Sequence, residues 1–462
     1  MEEKEQGVWQ DAETDFETET PKKVETLEDA ETLENVERLE TAEEEPALNR
    51  ETESILARKK IRTAWERGER AVGAFFKRIQ YPLLLAFITL TAFVLRTYLF
   101  EAETRDYQVF LLKWFQHIQE NGGFLALGQP IPGADYSPAY YYIFAILTYI
   151  PVKPVYSIKV VSCLFDIFLA VSIMLCAWAM TKDKKVAVIA YAVGSFLPTV
   201  FLNSAAWGQC DVIYASFAVF SLYFLLKKHY FTAAVIYGIA FSFKLQAIFM
   251  APLFAVLWFK RKIPRTTPLI ILGVYFLTCV PMWLMGRDLG DLLLVYLKQT
   301  GQYNNSLSLN APSFLALLGN LSQGWVEKLS PTFVIFTFSV TGIVMYIAGH
   351  TDLDKKENLV GFALLFSLFI PYFLPHMHER YFYLADVLSI VYVVLNRKRW
   401  YTAVLTQVCS LYAVSKYLFA PTWLSLAEIA IVQGLNILLL CKDLWKDHAA
   451  RQLPVSWADK EV

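Results

Sequence analysis

Residues 155–180 read VYSIKVVSCLFDIFLAVSIMLCAWAM, an apolar run in which Lys159 and Asp166 are the only charged side chains. A helix needs about 20 predominantly apolar residues to cross the hydrocarbon of a bilayer, and this run is long enough. The composition of the whole chain also indicates a membrane protein, since 56% of its 462 residues are hydrophobic and only 18% are charged. The sequence therefore predicts an all-α fold, a polytopic transmembrane helical bundle.

The other apolar segments of the chain are separated by short polar breaks, and together they predict about 12 spans. The segments 231–244 and 246–259 are short and meet near Lys244, which indicates a broken pair of helices. The predicted spans are residues 81–99, 155–180, 186–202, 211–227, 231–244, 246–259, 267–285, 331–349, 358–374, 381–396, 400–418 and 422–441.

The basic side chains orient the bundle, because cytoplasmic loops of membrane proteins carry an excess of lysine and arginine. With the N-terminus inside, the basic clusters after the first fall in cytoplasmic breaks, beginning at Lys182, Lys227, Lys260, Lys355, Arg397 and Lys442. This orientation predicts two cytoplasmic termini and two long outer loops, residues 100–154 and 286–330. Pro138 and Pro151 bracket too few residues for a span, so we expect an interfacial or re-entrant helix between them.

The ends of the chain differ in charge from the apolar part. Residues 1–50 are strongly acidic and predict a disordered or weakly helical cytoplasmic tail, with partner binding as the alternative. Residues 51–80 interleave basic and apolar side chains, which predicts an amphipathic juxtamembrane helix on anionic lipid. Residues 81–441 form the predicted transmembrane domain, and residues 442–462 form a cytoplasmic C-terminal tail.

Composition excludes several other functions. The formal net charge of -1 gives no whole-molecule basis for nucleic-acid binding, and there is no GxxxxGK(S/T) element for nucleotide phosphates. The six cysteines contain no CxxC pair, so we expect them to pack in the core.

Polar residues that are unusual in such an apolar chain collect at the predicted outer face. They lie in the segments EAETRDYQVF, GADYSP, WGQCD, FKLQ, SLNAPSF and PHMHERYFY. Ionisable residues at membrane depth are costly and are candidates for function. Their convergence from several segments predicts a polar cavity that opens outward. The candidates are Asp106, Asp135, Trp207, Gln209, Asp211, Lys244, Gln246, Asn310, His376, His378, Glu379 and Arg380.

The residue types indicate a transfer reaction. Asp106 can take the proton of an attacking hydroxyl as a general base, with Glu101, Glu103 and Asp135 as alternative acids. Charge-assisted hydrogen bonds can stabilise a leaving phosphate, for which the predicted ligands are His376, His378, Arg380 and Lys244. For the substrate we predict contacts from Asp135, Trp207, Gln209, Asp211, Gln246, Asn310 and Glu379.

Two alternatives stay open at this point. A divalent cation could bind His376 and His378 together with acidic residues, although Arg380 would oppose a nearby cation. We therefore expect no cofactor. A transporter or flippase is the second alternative, but transporters place their site near the midplane between repeated halves. The halves of this sequence show no repeat, and its polar residues collect at one face.

The order RDYQVF, DYSP, KVVSCLFDIF, WGQCD, FKLQ, SLNAPSF and PHMHERYFY resembles bacterial membrane mannosyltransferases related to the second mannosyltransferase of GPI-anchor assembly. More distantly, it resembles the dolichyl-phosphate-glucose-dependent glucosyltransferases. Both groups belong to the GT-C superfamily, and the resemblance covers roughly residues 81–440.

The resemblance implies a membrane hexosyltransferase with a polyprenyl-phosphate-linked monosaccharide as donor and inversion at the sugar carbon. It also implies an acidic base in the first outer loop, where Asp106 matches by position. The expected partners are this donor, a glycan, lipid or protein acceptor and the bilayer, with no nucleic acid. The expected location is the bacterial plasma membrane, with the active site on the extracytoplasmic side.

Overall fold

A computed structural model describes residues 46–300 and 305–452. Most of the predicted acidic tail (residues 1–45) and the end of the C-terminal tail (453–462) lie outside the described residues. By its internal contacts the chain divides into residues 1–79 and residues 80–462, and the site described below belongs to the second unit. The described part is helical with one pair of very short strands, which confirms the all-α prediction.

Helices account for nearly all of the regular structure in these ranges. The α-helices are α1 (Pro46–Thr97), α2 (Leu112–Glu120), α3 (Pro138–Leu147), α4 (Pro154–Thr181), α5 (Lys184–Ser195), α6 (Pro198–Phe201), α7 (Asp211–Leu226), α8 (Tyr230–Phe243), α9 (Ala251–Phe259), α10 (Thr267–Leu284), α11 (Leu289–Leu293), α12 (Val295–Gln299), α13 (Gln323–His350), α14 (Lys356–Phe373), α15 (Tyr383–Leu395), α16 (Trp400–Phe419) and α17 (Leu426–Gln452). The 3₁₀ turns are Gly123–Gly128, Leu245–Met250, Phe314–Leu318, Glu379–Phe382 and Arg397–Arg399, and the π turns are Tyr107–Leu111 and Leu202–Trp207.

The prediction of about 12 spans is not confirmed. Among the described residues, five helices are long and apolar enough to cross a membrane, or six if the bent pair formed by Lys184–Ser195 and Pro198–Trp207 counts as one span. The predicted apolar segments do correspond to helices, but several are too short. The 16 residues of α7, for example, extend only about 24 Å, less than the roughly 30 Å of hydrocarbon.

Several local predictions are confirmed. Helix α8 ends at Phe243, and Lys244 has an extended backbone before the 3₁₀ turn that begins at Leu245, so the chain is broken where expected. Helix α3 is the short helix expected in the first long loop. Five of the six cysteines are buried and Cys441 is partly buried, in agreement with a packing role.

Two helices run across the predicted ends of the apolar domain. The basic segment and the first predicted span form one helix, α1, which contains Pro82 in its interior. The last helix, α17, continues past the predicted boundary at residue 441 to Gln452. Polar side chains alone therefore do not end these helices.

Helix α4 holds the first long loop in place through its buried polar side chains. Lys159 donates to the carbonyl oxygens of Leu99, Phe100 and Ala102 at 3.0, 3.1 and 2.6 Å, just beyond the end of α1. A buried ammonium group is costly unless it is paired, and these three carbonyls satisfy all three of its donors. The segment that leads to Asp106 is thereby fixed.

A second buried contact joins α1 to α4. Arg96 Nε lies 2.6 Å from Asp166 Oδ2, and Ser204 donates to the same carboxylate oxygen at 2.5 Å. Ser162, one turn before Asp166, donates to the carbonyl oxygen of Gln209 at 2.9 Å. Helix α4 therefore positions both the first loop and the WGQCD segment.

Two short strands bring distant loops together. Strand β1 (Ser308–Leu309) pairs in parallel with β2 (Met377–His378). His376 has a positive φ of 62°, and its Nδ1 donates to the carbonyl oxygen of Ser306 at 2.7 Å. The SLNAPSF and PHMHER segments, far apart in sequence, thus become neighbours.

Candidate active site

One cavity of about 460 Å³ collects polar residues from the segments that the sequence singled out. Its wall is built from the first loop, the WGQCD segment, the two short strands and the end of α16. The predicted residues that line it are Asp106, Asp135, Gln209, Asn310, His378, Glu379 and Arg380. The wall also contains Arg105, Val109, Phe110, Leu111, Trp114, Tyr136, Ser308, Leu309 and Tyr417.

Asp106 is held by hydrogen bonds to both carboxylate oxygens. Trp207 Nε1 and Gln209 Nε2 donate to Oδ2 at 3.1 and 2.9 Å, and Tyr417 donates to Oδ1 at 2.5 Å. Its side chain remains 16% exposed, so the carboxylate is held firmly and is still accessible from the cavity.

The local backbone explains how Asp106 and Trp207 come to face each other. Asp106 directly precedes one π turn, and Trp207 ends the other. Such turns are rare in proteins as a whole, and those that occur are frequently located at functional sites. Gly208 follows with a φ of 78°, a conformation that suits glycine, and lets the chain turn so that Gln209 also reaches Asp106.

Arg380 lies among three carboxylates. Its Nη1 is 3.1 Å from Glu379 Oε1 and 3.7 Å from Asp106 Oδ2, and its Nε is 3.9 Å from Asp211 Oδ2. The guanidinium also lies over the ring of Trp207, 5.3 Å from the ring centroid. Its Nε–H is buried and makes no hydrogen bond within the protein. One donor of this cation is therefore uncommitted.

Lys244 and Asp211 form a buried pair that is not part of the cavity wall. Lys244 Nζ lies 2.6 Å from Asp211 Oδ1, and Asn203 donates to Asp211 Oδ2 at 3.0 Å. Lys244 Nζ also lies over the ring of Tyr136, 5.4 Å from its centroid. Because Tyr136 lines the cavity, Lys244 lies behind the cavity wall and adds positive charge to the site.

Burial changes the charge states of the wall. Burial, together with the positive charges of Arg380 and Lys244, lowers the pKa of His378 to about 2, so this imidazole is neutral at ordinary pH. Burial raises the pKa of Glu379 to about 7, against the opposing effect of Arg380. Burial also raises the pKa of Asp135. The Oδ1 atom of Asp135 is buried and makes no hydrogen bond within the protein.

The remaining predicted residues lie outside the cavity wall. The sequence places Trp207 against a sugar ring, whereas in the structure its ring is fully buried beneath Asp106 and stacks on Tyr417 at 4.6 Å. His376 holds the two loops together, and Gln246 is buried. The alternative acids of the first loop, Glu101 and Glu103, are exposed and do not line the cavity. The geometry therefore favours Asp106 over both.

Tyr417, Tyr136, Trp114 and Ser308 also line the cavity and are not among the predicted site residues. Arg105, one of the unusual polar residues of the first outer loop, lines it as well although no role was predicted for it. Tyr417 contacts Asp106 across 311 residues of sequence and occurs near the end of an apolar helix, where tyrosine is common in any membrane protein. Tyr136 and Ser308 stand directly beside predicted residues, and that adjacency is the signal by which they could have been found.

The alternative of a metal site has no support from the geometry of PHMHER. Among residues 46–300 and 305–452, no group of three or more His, Cys, Asp or Glu side chains is arranged to hold a metal ion. Arg380 instead lies between the acidic side chains, where a cation would otherwise sit. Independence from metal stays a prediction.

Residues 135–375 match glycosyltransferase family 87, a GT-C-type family, over just over half of the chain. The chain belongs to glycosyltransferase family 87. Together with the long apolar helices, this makes the protein a membrane glycosyltransferase and decides for an enzyme over a transporter. No curated protein matches the chain.

The match covers only part of the cavity of this family 87 enzyme. It includes Asp135, Gln209 and Asn310, but it begins after Asp106 and ends directly before the HMHER motif. The roles of Asp106 and Arg380 therefore depend on the geometry described above.

Proposed function

We propose that this family 87 enzyme transfers a hexose, with mannose as the first candidate, from a polyprenyl-phosphate carrier to an acceptor hydroxyl. The active site faces the non-cytoplasmic side, and the configuration at the sugar carbon is inverted. The observation that carries this proposal is the shared cavity wall, in which the Asp106 carboxylate and the Arg380 guanidinium are neighbours.

The reaction is a single displacement. Asp106 takes the proton of the acceptor hydroxyl as its oxygen forms a bond to the anomeric carbon. The bond from that carbon to the phosphate oxygen breaks, and its electron pair leaves with polyprenyl phosphate. Attack and departure on opposite faces of the sugar give inversion, and one base with one cationic leaving-group site is sufficient for this chemistry.

Arg380 is suited to the phosphate because negative charge on the phosphate increases as the sugar leaves. Interactions that strengthen in the transition state accelerate the reaction, and a guanidinium can bind two phosphate oxygens at once. The neutral imidazole of His378, on the same wall, supplies a further hydrogen-bond donor without adding charge.

The rest of the wall can recognise the sugar. Asp135 offers the buried and uncommitted oxygen Oδ1 to a sugar hydroxyl, and Asn310 lines the same cavity. Trp114 and Tyr136 contribute aromatic surface, and their rings contact each other edge to face at 5.5 Å. Polar groups for hydroxyls beside aromatic surface for the ring are the usual means of holding a carbohydrate.

The test uses purified protein in lipid nanodiscs with polyprenyl-phosphate mannose labelled in the sugar, and the glucose and galactose donors in parallel. We expect release of polyprenyl phosphate that depends on an added acceptor fraction, with full activity in EDTA. The configuration of the product, determined by NMR, should be opposite to that of the donor. Retention of configuration, or the lack of release from every donor, would contradict the proposal.

The acceptor is identified separately. The chain carries few cues to it, so the surface glycans, glycolipids and glycoproteins of cells with and without the protein are compared. A hexose missing from one of these classes identifies the acceptor class. Matched cells that carry Asp106→Asn serve as the control for effects of the protein other than transfer.

A further inference from the structure

Each oxygen of the Asp106 carboxylate has two lone pairs available for hydrogen bonds. Trp207 and Gln209 both donate to Oδ2, and Arg380 lies on the same side, so the capacity of Oδ2 is used. Oδ1 accepts one hydrogen bond, from Tyr417. The lone pair left for an incoming hydroxyl is therefore on Oδ1, next to the Tyr417 phenol.

We propose that Tyr417 is a positioning residue, which fixes the rotation of the Asp106 carboxylate and directs the remaining lone pair of Oδ1 toward the acceptor hydroxyl. This inference rests on the proposed function. A donor held in place on one oxygen fixes the rotation of the carboxylate.

The surroundings of Tyr417 fix its phenol in this place. Its ring stacks on Trp207, with centroids 4.6 Å apart and planes inclined by 20°. The helix that carries it, α16, ends at Phe419, and Ala420 then adopts a positive φ of 50°. Lys416 donates to the carbonyl oxygen of Pro421 at 2.5 Å, which closes the end of the helix. The phenol is thus restrained both by its ring and by its backbone.

Trp207 contacts the Asp106 carboxylate and two of the residues beside it. It donates to Asp106, stacks on Tyr417 and lies against the guanidinium of Arg380. Helix α16 therefore takes part in the site through the side chain of Tyr417. A role limited to packing would need only the ring of Tyr417, whereas a role in positioning needs the hydroxyl.

The test separates the ring from the hydroxyl. Tyr417→Phe keeps the stacking on Trp207 and removes only the hydrogen bond, and Tyr417→Leu removes both. The matched control is Tyr412→Phe, because Tyr412 lies on the same helix and its hydroxyl donates to the carbonyl oxygen of Leu424, away from the cavity. The kcat and the KM for donor and acceptor are measured separately, since a base that is wrongly oriented lowers kcat and leaves donor binding unchanged.

For Tyr417→Phe we expect kcat to fall about tenfold while the KM for the donor stays unchanged, because the carboxylate is no longer held in the orientation that the acceptor hydroxyl needs. Tyr412→Phe should keep the wild-type kcat. A Tyr417→Phe enzyme with the wild-type kcat would overturn the inference.

A second measurement needs no substrate. Infrared difference spectroscopy follows the carboxylate stretching band that is absent in Asp106→Asn, and its frequency should change in Tyr417→Phe and in Tyr417→Leu because one hydrogen bond is lost. If the wild-type protein releases no polyprenyl phosphate but this band moves, the proposed donor is wrong and the contact between Tyr417 and Asp106 stands. An unmoved band in both variants contradicts the role of Tyr417 itself.

Discussion

Arg380 Nη1 lies 3.7 Å from Asp106 Oδ2, so the cation proposed for the departing phosphate also contacts the proposed base. In the absence of donor this contact engages both side chains with each other. A donor phosphate that draws Arg380 toward itself leaves the Asp106 carboxylate to the acceptor hydroxyl. The relationship favours binding of the donor before the acceptor is deprotonated.

The first prediction concerns Asp106. Asp106→Asn keeps nearly the same shape but cannot take the proton, so transfer should fall by at least ~100-fold, the usual scale for the loss of general-base catalysis. Donor binding and folding should be retained, as measured by equilibrium binding and by thermal unfolding. Glu103→Gln is the matched control, because Glu103 belongs to the same loop and is exposed. Near-normal turnover of Asp106→Asn with loss in Glu103→Gln or Asp135→Asn would move the role to that acid.

The second prediction concerns Arg380. If it binds a phosphate whose charge increases as the sugar leaves, Arg380→Ala should lower kcat by at least ~10-fold and also weaken donor binding. Arg380→Lys should recover only part of the loss, since lysine lacks the planar fork of donors. Arg105→Ala is the control, because it removes the same charge from an exposed position in the same cavity wall. Full activity of Arg380→Lys would indicate that the reaction needs a positive charge at this position but no bidentate contact with the phosphate.

Much of the fold could be predicted from the sequence because its signals are local. The apolar run that contains Lys159 and Asp166 forms α4, and the break at Lys244 and the short helix after Pro138 occur where the residue pattern predicts them. The number of spans could not be predicted in this way. A helix such as α7 is as apolar as a span but has only 16 residues, too few to cross, and the composition of an apolar segment does not show where its helix ends.

The candidate site could be predicted in part, for a related reason. Each ionisable residue in an apolar chain can be recognised from the sequence by itself. Asp106, His378 and Arg380, which were recognised in this way, do line one cavity. The partners of those residues do not stand out. Tyr417 is inconspicuous until the fold brings it to Asp106, and the burial of Trp207 depends on a stacking partner from a distant helix.

The third prediction concerns topology. The excess of basic residues on one side predicts that both termini are cytoplasmic and that Asp106, Asn310 and His378 face outward. Glu103 and Asp183 are exposed and lie on opposite predicted sides, so Glu103→Cys and Asp183→Cys are suitable probes. In intact cells a membrane-impermeant maleimide should label the first and not the second. The reverse pattern would overturn the orientation, and the wild-type chain controls for its own cysteines, five of which are buried.

The fourth prediction concerns pH and follows from Glu379, whose pKa is raised to about 7 by burial. Above this pH the ionised Glu379 competes with the donor phosphate for Arg380, 3.1 Å away, and repels the phosphate. Below it the protonated Glu379 no longer competes, so donor affinity should increase as pH falls through about 7.

The measurement is the Kd of a non-transferable polyprenyl-phosphate sugar analogue at about pH 6 and about pH 8, with a difference of about threefold to tenfold expected from the loss of one competing charge. Glu379→Gln resembles the protonated form, so its Kd should be low at both pH values. Asp135→Asn is the matched control, because Asp135 is also an acid of the cavity wall but contacts the sugar in our proposal. That variant should keep the pH dependence. If Glu379→Gln retains the full pH dependence, another group is responsible for it, and Glu379 does not compete with the phosphate for Arg380.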